Sequence, residues 1–250
     1  MSTLYMGASE ETVAKYVLFS GDPWRVEVVK KYLDNPKKVA FMREFNTYTG
    51  TYKGVEITVT STGIGAPSAA IAMEEMYESG MQVAVRMGTV MSMQDDMLGH
   101  FMIPIAAMRR EGTSQSYVDL SYPAVADVMN ETVQQMGKRY LNGLNCTMDG
   151  FYSCMHDSKF SLECGRDMSK TFEEVKKLGV TGIDMESSCI LTLGRLMGVK
   201  TCILTVVTVL ENLKETLKGQ DRVDAEDLLC RTVLEGIYNY HIKREDGKNE

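Results

Sequence analysis

The sequence has few of the residues and patterns that mark several large protein classes. Its three histidines (His100, His156 and His241) are scattered without ligand spacing, which excludes a recognisable transition-metal motif. Its six cysteines form no CxxC pair, so we expect reduced thiols and no disulfide framework. The glycine turn Thr62–Ser68 (TGIGAPS) does not match the dinucleotide fingerprint GxGxxG, which excludes that class of oxidoreductase.

The sequence also lacks a recognisable membrane span, a signal region and an excess of basic residues. No apolar run approaches the roughly 20 residues that a membrane-spanning helix needs. The stretch MSTLYMGASEE has neither a basic nor an apolar signal region, so we expect a cytoplasmic protein that does not bind membranes. The net charge of -7 argues against nucleic acid as a partner.

The composition is that of a globular domain. Hydrophobic residues are 44% and charged residues 24% of the 250 residues, enough to form a sizeable core. Strand patterns alternate with helix patterns along the chain, which predicts one α/β domain over residues 1–250, with a frayed tail at 245–250. Predicted strands include Tyr16–Ser20, Phe45–Tyr52, Val55–Ser61 and Lys200–Leu210, and predicted helices include Ala69–Ser79, Pro123–Gly137, Glu186–Leu196 and Asp224–Tyr240. The aperiodic segment Gly150–Gly165 is predicted to be a loop that could act as a mobile lid.

The segment Val83–Met93 (VAVRMGTVMSM) is the motif around which we interpret the other motifs of the sequence. Val83–Val85 suits a buried strand, and Arg86 follows it at once. Ligands of open α/β sheets lie outside the carboxyl ends of the strands, and guanidinium matches phosphate oxygens bidentately. Gly88 permits a close backbone approach, and Thr89 adds a hydroxyl group. This segment predicts an oxyanion site.

Two further arginines stand beside glycine turns or strand ends. Gly21–Arg25 (GDPWR) joins a strand to a helix, which places free N–H groups and Arg25 where an anion is favoured. An ordinary exposed arginine explains that motif alone equally well. Arg43 lies in the REF motif and could serve the same anion. Glu186 could accept hydrogen bonds from ribose hydroxyls, or it could simply favour the dipole of the helix that it begins.

Seven motifs together resemble one family. They are GDPWR, REF, STGIGAPS (Ser61–Ser68), RMGT (Arg86–Thr89), YPAVAD (Tyr122–Asp127), FY (Phe151–Tyr152) and DMES (Asp184–Ser187). Their order and spacing resemble the uridine phosphorylase group of the nucleoside phosphorylase family, from roughly Tyr5 to Tyr240. The resemblance implies a three-layer α/β/α fold with a mixed, barrel-like sheet. It also implies reversible phosphorolysis of a nucleoside to a free base and ribose 1-phosphate, with inorganic phosphate as co-substrate and no required cofactor.

The resemblance also implies roles for individual residues. Gly21, Arg25, Arg86 and Thr89 would hold phosphate, with Arg43 reaching in from a neighbouring subunit; Tyr5, Met185 and Glu186 would hold the ribose, and Phe151, Met91 and Met155 would face the base. Arg86, Arg25 and Glu186 would be the catalytic residues. Glu44, Ile64 and Ser68 match positions that bind potassium between two subunits in some relatives. The implied assembly is a homodimer that forms a homohexamer.

The departures from the family lie almost entirely on the base side. The glutamine and arginine that read the uracil edge are replaced by Met155 and Asp157, and the second arginine falls near Glu211. The aspartate that protonates purines falls near Thr208. Three interpretations therefore stay open: a uridine-like phosphorylase whose loop residues His156, Lys159 or Arg166 contact the base, a purine nucleoside phosphorylase, or a relative that binds a phosphosugar or nucleoside without turnover.

Overall fold

The structure is a computed structural model that describes residues 2–118, 124–125 and 140–246. The strands of the described residues are β1 (Tyr16–Ser20), β2 (Asp34–Met42), β3 (Phe45–Tyr52), β4 (Val55–Ser61), β5 (Val83–Ser92), β6 (Phe101–Arg110), β7 (Ala124–Val125), β8 (Tyr140–Met148), β9 (Val180–Asp184) and β10 (Lys200–Leu210). The α-helices of the described residues are α1 (Pro23–Lys30), α2 (Ala66–Glu78), α3 (Gly112–Tyr117), α4 (Lys159–Glu163), α5 (Met168–Lys177), α6 (Ser187–Met197) and α7 (Gly219–Asp246). Short 3-10 turns occupy Asp95–Met97 and Glu211–Leu213, and a π-helical turn occupies Phe151–Met155.

Strand β5 is the centre of the sheet. It pairs in parallel with β1 along its first half and with β10 along its length, and its last residues pair antiparallel with β9. The order β10-β6-β8-β9-β5 closes on itself through the β10–β5 pairing, and β1-β4-β3-β2 extends from β5. A closed ring of mixed strands with an open extension is the barrel-like sheet that the sequence predicted.

Helices cover both faces of this sheet. Along β1, Val17 and Phe19 point into a core that α2 and α6 cover, whereas Tyr16 and Leu18 point into a second core that α1 and α7 cover. The alternation follows from the two-residue period of a strand, and it explains why these strands read as continuous apolar runs. The three layers are helices, sheet and helices, so the predicted fold is confirmed.

Several predicted boundaries were wrong. Strand β5 does not end at Val85 but continues to Ser92, so the motif Arg86–Thr89 lies inside the strand. The polar segment Arg109–Tyr122, which its composition predicts to be turn-like, contains helix α3. Gly150–Gly165 is not one loop, because it holds the π-helical turn and α4. Strand β8 was not predicted, since its sequence YLNGLNCTM has little apolar alternation.

The C-terminal helix was also predicted too short. Helix α7 reaches Asp246, so residues 245–246 belong to the helix and not to a frayed tail. The predicted helix Pro123–Gly137 and most of the YPAVAD motif lie outside the described residues, apart from Ala124–Val125 in β7. Among the described residues, no helix combines the length and the apolar character needed to cross a membrane.

Candidate functional site

One cleft of about 660 Å³ gathers most of the predicted site residues. It opens at the carboxyl ends of β1 and β4 and beside the second half of β5. Its lining includes ten of the residues singled out from the sequence: Gly21, Arg25, Ile64, Arg86, Thr89, Met91, Phe151, Met155, Met185 and Glu186. Because these residues come from motifs that are far apart in the chain, the fold itself assembles the site.

Arg86 is held by two carboxylates at the base of the cleft. Its Nε and Nη2 atoms donate to Asp184 Oδ2 at 3.3 and 3.2 Å, and Nη2 lies 2.6 Å from Glu186 Oε2. The side chain is 3% exposed, and its Nη1 atom has no partner among the described residues. Burial alone would lower the pKa of this guanidinium, but Glu186 and Asp184 more than compensate, so its pKa stands above the ordinary value. Arg86 is therefore a fixed cation with one unused donor group.

Gly88 makes room for that guanidinium. A Cβ atom at this position would lie 2.9 Å from both Cζ and Nη2 of Arg86, closer than real Cβ contacts. The sequence predicted that Gly88 permits another group to approach the backbone closely. In the structure, that group is the Arg86 guanidinium. Any larger residue would push Arg86 away from its two carboxylates.

Glu186 directly precedes helix α6, but its side chain does not cap the helix. Its side chain makes no capping hydrogen bond and instead accepts from the Gly65 amide at 2.6 Å and pairs with Arg86. Burial raises the pKa of Glu186, and the nearby Arg86 charge works in the opposite direction. The helix-dipole interpretation of this residue therefore does not describe its contacts.

Asp184 is a buried hub that the sequence did not single out. Its Oδ1 accepts from Asn145 Nδ2 at 2.8 Å and from Thr147 Oγ1 at 2.9 Å, and the Ser187 amide donates to it at the start of α6. A carboxylate fixed by this many donors can hold Arg86 in one orientation without reorganisation. Asn145 and Thr147 lie on β8, the strand that the sequence pattern missed.

Arg25 forms the second cationic group. It is 6% exposed, Nη1 donates to Ser20 Oγ at 3.2 Å, and Nη2 lies 3.3 Å from Glu226 Oε2. Its Nε atom has no partner among the described residues. Asp22 caps α1 by accepting from the Trp24 amide at 2.9 Å, and Asp22 and Pro23 line the cleft, so the amino end of this helix lies at the cleft. The interpretation of Arg25 as an ordinary exposed arginine is wrong.

The far end of the cleft is apolar. Met91, Phe151, Met155, Ile183 and Val209 line it together with Thr208, whose side chain is buried. Of the positions that the resemblance assigns to reading uracil, Met155 lines the cleft, whereas Asp157 and Glu211 face other partners. The Asp157 carboxylate accepts from Asn212 Nδ2 at 2.8 Å, and Glu211 pairs with Lys176.

The suggested loop contacts do not reach the cleft. His156 is hydrogen-bonded to Asn212 through Nδ1 at 3.1 Å, Lys159 is 92% exposed, and Arg166 is also exposed. None of the three lines the cleft.

Four predicted site residues lie outside this cleft. Arg43 is exposed in the β2–β3 turn, and its guanidinium lies over the Tyr5 ring at 5.2 Å. Glu44 and Ser68 are hydrogen-bonded to each other, and Ser68 Oγ donates to Glu44 Oε1 at 2.8 Å. Ile64, the third residue of that predicted group, is 78% exposed at the rim of the cleft. Within one chain, the structure does not bring Arg43 and Tyr5 to Arg86.

Sequence reasoning also missed Arg222, a cleft-lining residue on α7. Its Nε donates to Glu226 Oε1 at 3.0 Å, the carboxylate that also contacts Arg25. The spacing Arg222–Glu226 is that of an ordinary pair on one helical face, so nothing in the sequence separates it from a solvated ion pair.

The fold and the cleft define an α/β protein with buried arginines beside a carboxylate, the arrangement expected of an oxyanion site next to a site for hydroxyl groups. The sequence profile of the Phosphorylase superfamily matches residues 15–233. The chain belongs to the Phosphorylase superfamily.

Individual relatives agree with this assignment. A uridine phosphorylase of Thermococcus kodakarensis is 37% identical over 201 residues, covering 78% of this chain and 73% of the relative. The crystal structure of uridine phosphorylase from Vibrio fischeri, complexed with 6-hydroxy-1-naphthoic acid, has a TM-score of 0.82 and 30% identity, covering 95% of this chain and 97% of the other. A purine nucleoside phosphorylase of Toxoplasma gondii has a TM-score of 0.85 at 24% identity, with 97% of each chain covered, which shows a shared fold.

Proposed function

We propose that this protein is a pentosyltransferase that catalyses the reversible phosphorolysis of a nucleoside, with uridine or a similar nucleoside as substrate. The observation that carries this proposal is the pair of unused donors in one cleft. Arg25 Nε and Arg86 Nη1 are buried and have no partner in the part of the chain that the structure describes, and both arginines line the same cleft as Thr89 and Gly21. Buried donors without acceptors are rare, and a phosphate would supply the missing oxygens.

The neighbouring carboxylate, Glu186, fits the proposed role of binding the ribose of the nucleoside. Glu186 lines the cleft beside Met185, and its pairing with Arg86 brings the proposed ribose and phosphate sites into direct contact. Cleavage of the glycosidic bond develops positive charge on the ribose, and an arginine-bound phosphate placed beneath C1′ would stabilise that charge and attack it. Most of the acceleration would then come from positioning and electrostatics.

The base site supports a second candidate. Methionines and Phe151 line the far end of the cleft, and Asp157 and Glu211 are engaged with Asn212 and Lys176. A protein with this lining could bind a phosphosugar or nucleoside without turnover. The resemblance places the purine-protonating aspartate near Thr208, where this chain has no such acid, so the purine alternative has less support than the uridine-like one.

The assembly proposal rests on the residues that lie outside the cleft. We propose a homodimer, three of which form a hexamer, in which Arg43 and Tyr5 enter the cleft of a neighbouring copy. Arg43 is exposed and stacked on Tyr5, so the two side chains are already presented together. We also propose a cytoplasmic role in nucleoside salvage.

A potassium site between subunits belongs to the same proposal. The Ser68 hydroxyl lies within hydrogen-bond distance of both the Glu44 carboxylate and the Thr62 carbonyl, so the available ligand atoms are all oxygens, as a hard cation requires. Replacing sodium chloride by potassium chloride at constant ionic strength should then raise the melting temperature of the native protein. The same exchange should have no effect on Glu44→Ala.

The function is tested by phosphate-dependent release of free base from uridine, deoxyuridine, thymidine, inosine, adenosine and guanosine. Release from uridine supports the proposal, and release from purine nucleosides alone supports the purine alternative. If no base is released while phosphate or ribose 1-phosphate still raises the melting temperature, the binding candidate is correct. Arg86→Gln is the control, because it removes the central cation and should abolish both effects.

A further inference from the structure

One carboxylate on helix α7 connects two arginines of the cleft. Glu226 uses Oε2 for Arg25 Nη2 at 3.3 Å and Oε1 for Arg222 Nε at 3.0 Å. The side chain of Glu226 is 22% exposed, so this bridge lies at the edge of the cleft and not in the core. It fixes the position of Arg222 relative to Arg25, the residue with the unused Nε donor.

The charge balance of the cleft indicates a function for Arg222. The arginines of its described lining are Arg25, Arg86 and Arg222, and the carboxylates are Asp22, Asp184 and Glu186. Arg86 is already paired with two of those carboxylates. A phosphate dianion would therefore meet little net positive charge from Arg86 alone, and it needs cations whose own partners leave donors free.

Arg222 meets that requirement. Glu226 takes only its Nε, and among the described residues no hydrogen bond involves its terminal nitrogens. Its side chain is 44% exposed, whereas Arg25 is 6% and Arg86 3% exposed, so Arg222 can adjust to an entering ligand. Guanidinium nitrogens that are free and adjustable suit a phosphate.

We infer that Arg222 is a further phosphate-binding residue and that Glu226 is a positioning residue, which holds Arg222 and Arg25 at the phosphate end of the cleft. This inference rests on the proposed phosphorolysis. It adds the first turns of α7 to the phosphate site, an element that the sequence motifs do not include.

A matched arginine on the same helix provides the control. Arg231 forms an ion pair with Asp227, with Nε to Oδ2 at 3.0 Å, and is 50% exposed, but it does not line the cleft. Arg222→Ala should raise the phosphate KM about fivefold to tenfold, because it removes a half-exposed charge-assisted contact. The KM for the nucleoside should change less than about twofold. Arg231→Ala should change neither constant, and Arg222→Lys should fall between wild type and alanine.

Glu226 is tested in the same way. Glu226→Ala should raise the phosphate KM at least as much as Arg222→Ala, since it releases both arginines. Glu235→Ala is the control, because Glu235 is 27% exposed on the same helix and pairs with Lys53, away from the cleft. A lower phosphate KM in Glu226→Ala would overturn the positioning role, because Glu226 would then compete with phosphate.

Measuring phosphate binding in the absence of nucleoside distinguishes failure of the Arg222 role from failure of the proposed phosphorolysis. The rise in melting temperature with inorganic phosphate should be smaller in Arg222→Ala than in wild type and Arg231→Ala. If wild type responds to phosphate and turns over nucleoside but Arg222→Ala equals Arg231→Ala, the role of Arg222 is refuted and the proposed function stands. If wild type shows neither response, the proposed function fails, and this inference fails with it.

Discussion

Gly88→Ala is the sharpest single test of how this site is built. The added methyl group would lie 2.9 Å from Cζ and Nη2 of Arg86, so the guanidinium must move about half an ångström to reach ordinary contact. It cannot move freely, because Asp184 holds it at 3.2 and 3.3 Å and Glu186 at 2.6 Å. Either these contacts lengthen or the β5 backbone shifts.

The expected loss of stability and the expected loss of activity in Gly88→Ala can both be estimated. Overpacking a filled interior costs about 1–3 kcal/mol of unfolding free energy. A catalytic group that is misplaced by about 1 Å can lose about a hundredfold in rate, so a smaller shift of Arg86 should lower kcat/KM by about tenfold or more. The measurements are urea unfolding and phosphorolysis with phosphate as the varied substrate.

The control for this test is Gly112→Ala. Among the residues that the structure describes, a Cβ at Gly112 would meet only Asp149 Oδ2, at 3.8 Å, so this variant should keep both wild-type stability and wild-type activity. Gly88→Ala with unchanged stability and an unchanged phosphate KM would refute the reasoning, because Arg86 would then not depend on the space above Gly88.

Three further predictions concern buried groups. Burial raises the pKa of Glu186, so the protonated carboxyl contributes stability that is complete below the unfolded pKa and is lost as the pH rises through the folded pKa. In urea unfolding, the stability of Glu186→Gln relative to wild type should therefore rise as the pH increases above the usual range of a carboxyl group, and a constant difference would contradict this sign. Glu75 accepts the amides of Tyr5 and Met6 at 2.8 and 2.7 Å, so Glu75→Ala should cost about 1–3 kcal/mol and speed proteolysis of the N-terminal segment, whereas the exposed Glu78→Ala should do neither. Burial raises the pKa of Cys146 and Cys230 to about 12, so in the native protein a thiol reagent should modify the exposed Cys164 first and should reach these two only on unfolding.

The sequence was most informative where one strong local pattern decides the structure. Strands β1, β3, β4 and β10 have the predicted bounds, because each is a run of β-favouring residues between turn residues. Burial on both sides of a sheet leaves little choice of side chain, so such strands are nearly continuous runs of apolar and β-favouring residues. For the same reason Arg86 was conspicuous: a charged residue inside such a run needs a partner or a ligand.

Prediction failed where the deciding contact is distant in sequence. Strand β8 has weak local signals and is fixed by pairing with β6 and β9, so only the assembled sheet reveals it. The extension of β5 to Ser92 likewise depends on its pairing with β10 and β9. The role of Asp184 could not be read from DMES, because its donors Asn145 and Thr147 lie on that same unpredicted strand.

The position of Arg43 connects the charge balance of the cleft with the proposed assembly. Arg43 has a positive φ of 54°, a conformation that costs energy for a non-glycine residue and is retained where the surroundings enforce it. Here it presents an exposed guanidinium, stacked on Tyr5, that no part of its own cleft uses. A cleft whose three arginines face three carboxylates would gain most from one additional cation. A neighbouring copy that supplied Arg43 would tip the balance towards a phosphate dianion, and this gives a physical reason to expect that phosphate affinity depends on assembly.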